Sequence, residues 1–185
     1  MPATTREMND DSTEMTAIMR ARLSRAPLWE FALALYGRPG VEAACLALQD
    51  KGGVDVCELL WRCWLLQHDA RPGPRAEAGV AEVRRWQQEI TLPLRQLRRR
   101  LKPEAMTRSG VAELRETLKR AELEAEREAL GRLERLALED TGDLQPAVGI
   151  SAEKALAGAL QLQKKTHLST LHTLIASLDP PPGPR

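Results

Sequence analysis

The sequence predicts an all-α protein. The expected architecture is a compact unit of three short helices near the N-terminus, a long kinked helical hairpin and a C-terminal helix, packed as one bundle. Three observations predict it. Hydrophobic residues make up 43% of the 185 residues but aromatic ones only 3%, so the core is built from leucine and alanine, and the side chains that sheets favour are scarce. Apolar residues recur three and four apart, the period of a helix face, and alternating apolar–polar runs are absent. Clusters of proline and glycine separate the periodic stretches.

Residues 1–26 are polar, with Asn9, Asp10, Asp11 and Ser12, and are assigned to a mobile tail. Asp11 is placed to cap a short helix carrying Met15, Ile18, Met19 and Leu23. Met15 and Met19 compete with Met1 as the first residue. Residues 27–178 are expected to form a single helical domain, with three short helices over 27–70, the hairpin over 76–139 and the final helix over 151–178.

Leu28 to Tyr36 is apolar on nearly every side, with Glu30 its only charge, so this helix is expected to be buried all round. Gly37 is expected to cap it, because glycine accepts positive φ. Pro39 then fits the first position of a helix running to about Asp50, with Val41, Ala44, Cys45 and Leu48 on one face. Gly52 and Gly53 end that helix. Asp55 is a natural N-cap, and Glu58 three residues on has capping-box spacing. The third helix runs to about His68 with Cys57, Leu60, Trp61, Trp64, Leu65 and His68 on one stripe. Glu58 and Arg62 sit i, i+4 on another face, in the favourable order for an ion pair.

The run LWEFALALYGRPGVEAACLALQD, followed by GVDVCELLWRCWL, resembles a family of small proteobacterial proteins known only as a domain of unknown function, number 2390 in that series. The similarity is strong over Leu28–Leu66. It continues weakly to about Lys102, through Trp86, Pro93-Leu94-Arg95 and Leu97-Arg98-Arg99. The resemblance implies a small, soluble, helical bacterial protein and carries over no catalytic or ligand residue.

Arg71-Pro-Gly-Pro-Arg75 breaks the chain before a long helix from about Ala76 to Lys102. Val80, Val83, Gln87, Ile90, Leu94, Leu97 and Leu101 form its heptad-like stripe, which is compatible with homo-oligomerisation. Pro93 removes a backbone hydrogen bond, so it either kinks this helix near Glu89–Ile90 or restarts it. Pro103 marks a turn. Ser109 is placed to cap the next helix, which runs to about Glu139 with Glu116–Arg120 and Glu128–Arg132 as i, i+4 supports. The two long helices are expected to pair antiparallel, basic against acidic. Residues 140–146 read as a loop. Ser151 caps the last helix, with Leu156, Leu160, Leu171, Leu174 and Leu178 inward, and residues 179–185 form a loose tail.

The net charge of +1 conceals segregation. Arg71 to Lys102 holds nine Lys/Arg and three Glu, a net of +6, while residues 1–70 and 113–140 each carry −3. Within the basic stretch, Arg95, Arg98, Arg99 and Lys102 fall i, i+3, i+4, i+7 on one stripe, with Arg100 beside it. Such a stripe suits phosphates of nucleic acid or the surface of an acidic protein partner. The competing reading is a solvated face paired with glutamates of the next helix. No aromatic residue interleaves the stripe, which weakens single-strand nucleic-acid binding. Cys57, Trp61, Trp64 and His68 share a face and are candidates for lining a small pocket, against the competing reading that they are core.

Three cysteines in a long helical chain do not make a disulfide framework; they read as reduced, buried thiols and point to the cytoplasm. Cys45 lacks any motif linking it to His68, His167 or His172, so nothing marks it as a nucleophile. No zinc motif, phosphate loop, dinucleotide fingerprint or nucleophile elbow is present, and no metal or cofactor is expected. No apolar run nears the length of a membrane span. The expected function is non-enzymatic: an interaction or adaptor module that uses the basic face. Nucleic-acid or ribosome binding through the same arginines, and a small-molecule or enzymatic pocket near Trp61 and Trp64, are the alternatives.

Overall fold

A computed structural model describes residues 16–139 and 143–178. The chain is all-α apart from one pair of three-residue strands. Its elements are α1 (residues 16–24), α2 (Leu28–Tyr36), α3 (Val41–Gly52), α4 (Val56–Gln67), β1 (Ala70–Pro72) and α5 (Pro74–Trp86). A π turn (Gln87–Thr91), α6 (Leu92–Arg100), α7 (Lys102–Ala105), α8 (Ser109–Leu138), β2 (Leu144–Pro146), α9 (Ala152–Ala159) and α10 (Lys165–Ala176) follow.

The centre of the body is α4. Asp55 caps it as expected, accepting the Glu58 N–H at 3.0 Å. Beyond that cap α4 departs from the one-stripe expectation, because every residue from Cys57 to Leu66 is buried. Helices on all sides enclose it: α2, α3, α8 and α9 each pack against it. Its neighbour α2 departs the other way. The expectation was burial all round, but only Leu28, Ala32 and Leu35 are buried, and Leu33 is 54% exposed. A near-uniformly apolar helix signals burial only if it lies in the middle, and α2 lies at the edge. Gly37 is right-handed at φ −74°, so it does not supply the expected positive φ. That conformation belongs to Gly40 (φ 83°), which precedes α3, so α3 begins at Val41 and not at Pro39. The second left-handed glycine, Gly53 (φ 66°), ends α3.

The predicted hairpin is present. The π turn and α5, α6 and α7 all pack against α8, and basic faces acidic between them. Pro93 neither stops nor restarts the helix. The chain runs through the π turn, where the Leu92 N–H donates to the Gln87 carbonyl five residues back. The extra residue in that turn relieves the collision that a proline ring makes with the carbonyl four residues earlier. On α8, Glu128 and Arg132 pair at 2.8 Å as expected, whereas Glu116 is engaged by Arg115 and Lys119 and not by Arg120.

Two further expectations are corrected. Ala70–Pro72 and Leu144–Pro146, read as breaks and loop, pair as short antiparallel strands with Arg71 opposite Gln145. The single C-terminal helix is two, α9 and α10, divided at Gln161, whose φ is 55°. Of its five inward leucines, Leu156, Leu171, Leu174 and Leu178 are in the core and Leu160 is half-buried against it. Of the region assigned to an N-terminal tail, residues 16–24 are helical and bury Met19 and Leu23. Residues 1–15 and 179–185, with the Asp11 cap and Met15, lie outside the described residues. Among the described residues no single helix is long and apolar enough to cross a membrane; α2 and α3 together reach that length but are bent by 98°.

Candidate functional site

From residue 92 to residue 121 no side chain is buried. These residues make α6, α7 and the first half of α8, an antiparallel two-helix arm that stands out from the body. Each helix forms from an apolar stripe at helical spacing. Leu94, Leu97 and Leu101 are half-buried on one strand of the arm, and Val111, Ala112 and Leu118 on the other. With only two helices there is no third layer to complete the burial, so the seam stays partly open. The arm holds nine Lys/Arg and three Glu, a net of +6.

The four predicted stripe residues divide in the structure. Arg95 and Arg98 turn inward across the arm's root. Arg95 donates to Glu122 at 2.8 Å and to Glu126 at 2.6 Å, and Arg98 donates to Glu122 at 2.5 Å. Burial raises the Glu122 carboxyl, but hydrogen bonds and charge from Arg98 and Arg95 outweigh it and hold the pKa below the ordinary carboxylate range. Glu126, beside it, has its pKa raised by burial despite Arg95. The other two, Arg99 and Lys102, point outward. Arg99 is half-exposed and reaches Asp50 of α3 at 3.3 Å. Lys102, with Arg100 and Arg120, makes no ion pair among the described residues. On α8, Arg115 and Lys119 fall on the same face as Glu122 and Glu126, so they continue toward the tip the side on which Arg95 and Arg98 are tied.

Cys57, Trp61 and Trp64 all lie in the core, with both tryptophans 0% exposed. The Trp64 indole N–H donates to the Ala26 carbonyl at 2.7 Å and its ring meets His68 edge-on at 6.3 Å. Burial, then Arg22, lowers the His68 pKa. Two open clefts lie elsewhere. One of about 210 Å³ is lined by Arg62, Arg71, Glu77 and Ile150, and one of about 320 Å³ by Glu82, Glu128, Arg132 and Arg135. Arg62 faces the first with its Nε, Nη1 and Nη2 each donating already, to Glu58 and to both carboxylate oxygens of Glu77. All three cysteines are free and buried. Burial pushes the Cys45 thiol up to about 12 and the Cys57 thiol well above its ordinary value, the reverse of what activates a nucleophile. Among the described residues no cluster of His, Cys, Asp or Glu has the arrangement to hold a metal ion.

Two features escaped the sequence. One is a buried charge network: Glu58 and Arg62, expected as an i, i+4 ion pair, are 3% and 4% exposed and are completed by Glu77 and Arg84 from α5. The i, i+4 spacing gave the pair, but α5 brings the other two charges from 15 or more residues away. The other is the corner where the arm leaves the body. There Arg127 of α8 stacks on Trp29 of α2 at 5.1 Å, and the Arg99–Asp50 contact joins α6 to α3. Tyr36, the last residue of α2, has its hydroxyl pushed up to about 12 by burial and by Cys45, Glu42 and Glu126, against the pull of Arg95.

Residues 27–133 match the family model described as Protein of unknown function (DUF2390). No curated protein matches the chain, and no solved structure does.

Proposed function

The chain belongs to the DUF2390 family of proteins of unknown function, and we propose that it acts by binding, as a non-enzymatic interaction module whose two-helix arm engages an acidic protein surface. One observation carries this reading: an ordered arm, residues 92–121, that buries no side chain of its own and bears a net charge of +6. Thirty residues, most of them helical, that add no buried side chain to the core contribute little to the stability of the body. Their charge does steer association with acidic partners. Arg95 and Arg98 hold the arm together, and Arg99, Arg100, Lys102, Lys119 and Arg120 are the contact residues. The absence of aromatic side chains on the arm favours a protein over single-stranded nucleic acid. Three reduced, buried thiols support a cytoplasmic setting.

The test is capture from native extract on the tagged chain, with and without nuclease, beside the variant Arg100→Glu, Lys102→Glu, Arg120→Glu. These three side chains are free of ion pairs among the described residues, so the variant keeps its fold. The expected result is a discrete acidic protein that survives nuclease, rebinds when purified, weakens with salt and is lost in the variant. Nuclease-sensitive capture with a steep salt slope would move the assignment to nucleic-acid phosphates. A rebinding partner indifferent to the three reversals would refute the arm as the contact surface.

A further inference from the structure

We infer that the cleft between α4, β1, the first turn of α5 and α9 binds a small aliphatic monocarboxylate, with Arg71 as the residue that grips it. The cleft shares no residue with the arm. Small side chains make it. Ala155 and Ala159 fall one turn apart on α9, and Ala70 and Pro72 belong to β1, so short side chains on both walls leave a space of about 210 Å³. Pockets for drug-sized molecules run to roughly 300–1,000 Å³, so the occupant here is smaller than those. Leu66 and Leu156 also line the space and belong to the core, and Ile150 adds an apolar side chain that is 39% exposed. A carbon chain seated there covers apolar surface that water now meets.

Charge selects the ligand. Three charged residues line the cleft, Arg62, Arg71 and Glu77, a net of +1. Arg62 and Glu77 satisfy each other through two bonds of 2.7 Å, so neither calls for a ligand. Arg71 differs. Its Nε donates to the Pro146 carbonyl at 3.3 Å, and it has no carboxylate partner among the described residues. Arg62, Arg84, Arg95 and Arg98, by contrast, are each held by a glutamate. The Nη1 and Nη2 groups of Arg71 are therefore left for an incoming anion, and a carboxylate matches the guanidinium fork with two oxygens. The single net positive charge suits one negative charge. A dianion such as a phosphate monoester would add its second charge beside the carboxylate of Glu77, and meets repulsion there.

The experiment uses the full chain labelled with nitrogen-15 and follows its amide signals by NMR during titration. Butyrate, isovalerate and hexanoate are the probes. Acetate, which lacks a tail, and hexylamine and hexanol, which lack the carboxylate, are the controls. The expected result is saturable shifts at β1 and α9 with at least one of the three acids and with none of the controls. Arg71→Gln should weaken that acid by about tenfold or more, the loss of a charge-assisted pair. Its one hydrogen bond is to an exposed carbonyl, so the fold should be unchanged by circular dichroism. Ala159→Leu fills the cleft and should abolish the shifts; if that variant unfolds, Arg71→Gln and the control ligands still decide. No saturable shift with any of the three acids, equal shifts with hexanol or hexylamine, shifts centred away from β1 and α9, or an affinity indifferent to Arg71→Gln overturns the site.

Discussion

Arg62 shows what a single buried charge demands. The residue is 4% exposed, and its guanidinium donates to Glu58 at 2.9 Å and grips Glu77 with two bonds of 2.7 Å. Burial pulls its pKa down, yet the hydrogen bonds and charges of Glu77 and Glu58 leave it raised. Arg62→Ala strips Glu58 of one of its two cations in a nearly dry site. Breaking such a pair costs about 3 kcal/mol, the low end of the usual range because Arg84 stays on Glu58. Urea unfolding should show the midpoint fall accordingly. Asp55 is the opposite case. Burial raises its carboxyl pKa, although the Glu58 N–H and the Gln87 amide hydrogen-bond it, and Glu58 adds repulsion. A carboxyl raised on folding is fully compatible with the fold when protonated, and it loses stability as pH rises through its unfolded and then its folded pKa. Asn caps a helix as well as Asp. Asp55→Asn should therefore raise the unfolding midpoint at neutral pH, and the gain should vanish at about pH 3. A gain independent of pH would refute the cause given.

Helix ends in this chain are secured from far away in sequence. α5 has no capping side chain of its own at Gly73. Asp143 supplies the cap, its carboxylate accepting the Arg75 N–H at 2.9 Å and the Ala76 N–H at 3.1 Å. Its carbonyl accepts the Gly73 N–H, and a Cβ on Gly73 would run into its carboxylate. α2 is capped in the same way, by Glu134 on the Leu28 N–H at 2.8 Å. Asp143→Ala should cost about 1 kcal/mol and lower the thermal midpoint, whereas Asp143→Asn should largely preserve it. Farther along α5, Gly79 lets the helix approach α8 closely: a Cβ there would stand 2.5 Å from a Leu136 methyl. Gly79→Leu should lower the same midpoint through overpacking of about 1–3 kcal/mol.

At the scale of the molecule, body and arm are unequal in what they bury. The core is drawn from α1 to α5, the second half of α8, and α9 and α10. Replacing residues 92–121 with a short glycine linker, together with Glu122→Gln and Glu126→Gln so that neither carboxylate is left without Arg95 and Arg98, should yield a chain that still unfolds cooperatively near the parent's midpoint. Loss of the cooperative transition would mean that the arm is part of the folding unit. The same shortened chain should lose the acidic partner.

Much of this was legible locally. The periodicity of Leu, Ala and Val marks the helices, Asp55 and Ser151 mark two starts, Gly53 marks an end, and the opposite charges of residues 95–98 and 122–126 mark the antiparallel hairpin. These are properties of neighbours along the chain, so the sequence by itself determined the all-α class, the hairpin and the inward leucines. Tertiary packing alone put α4, with Glu58 and Arg62 in it, at the centre and left the more uniformly apolar α2 at the edge. It also decided that Arg95 and Arg98 face inward while Lys102 faces out, that Glu58–Arg62 is buried, and that strands form at Ala70 and Leu144. Burial and pairing are relations between residues distant in sequence, and spacing along one helix contains no information about what packs against it.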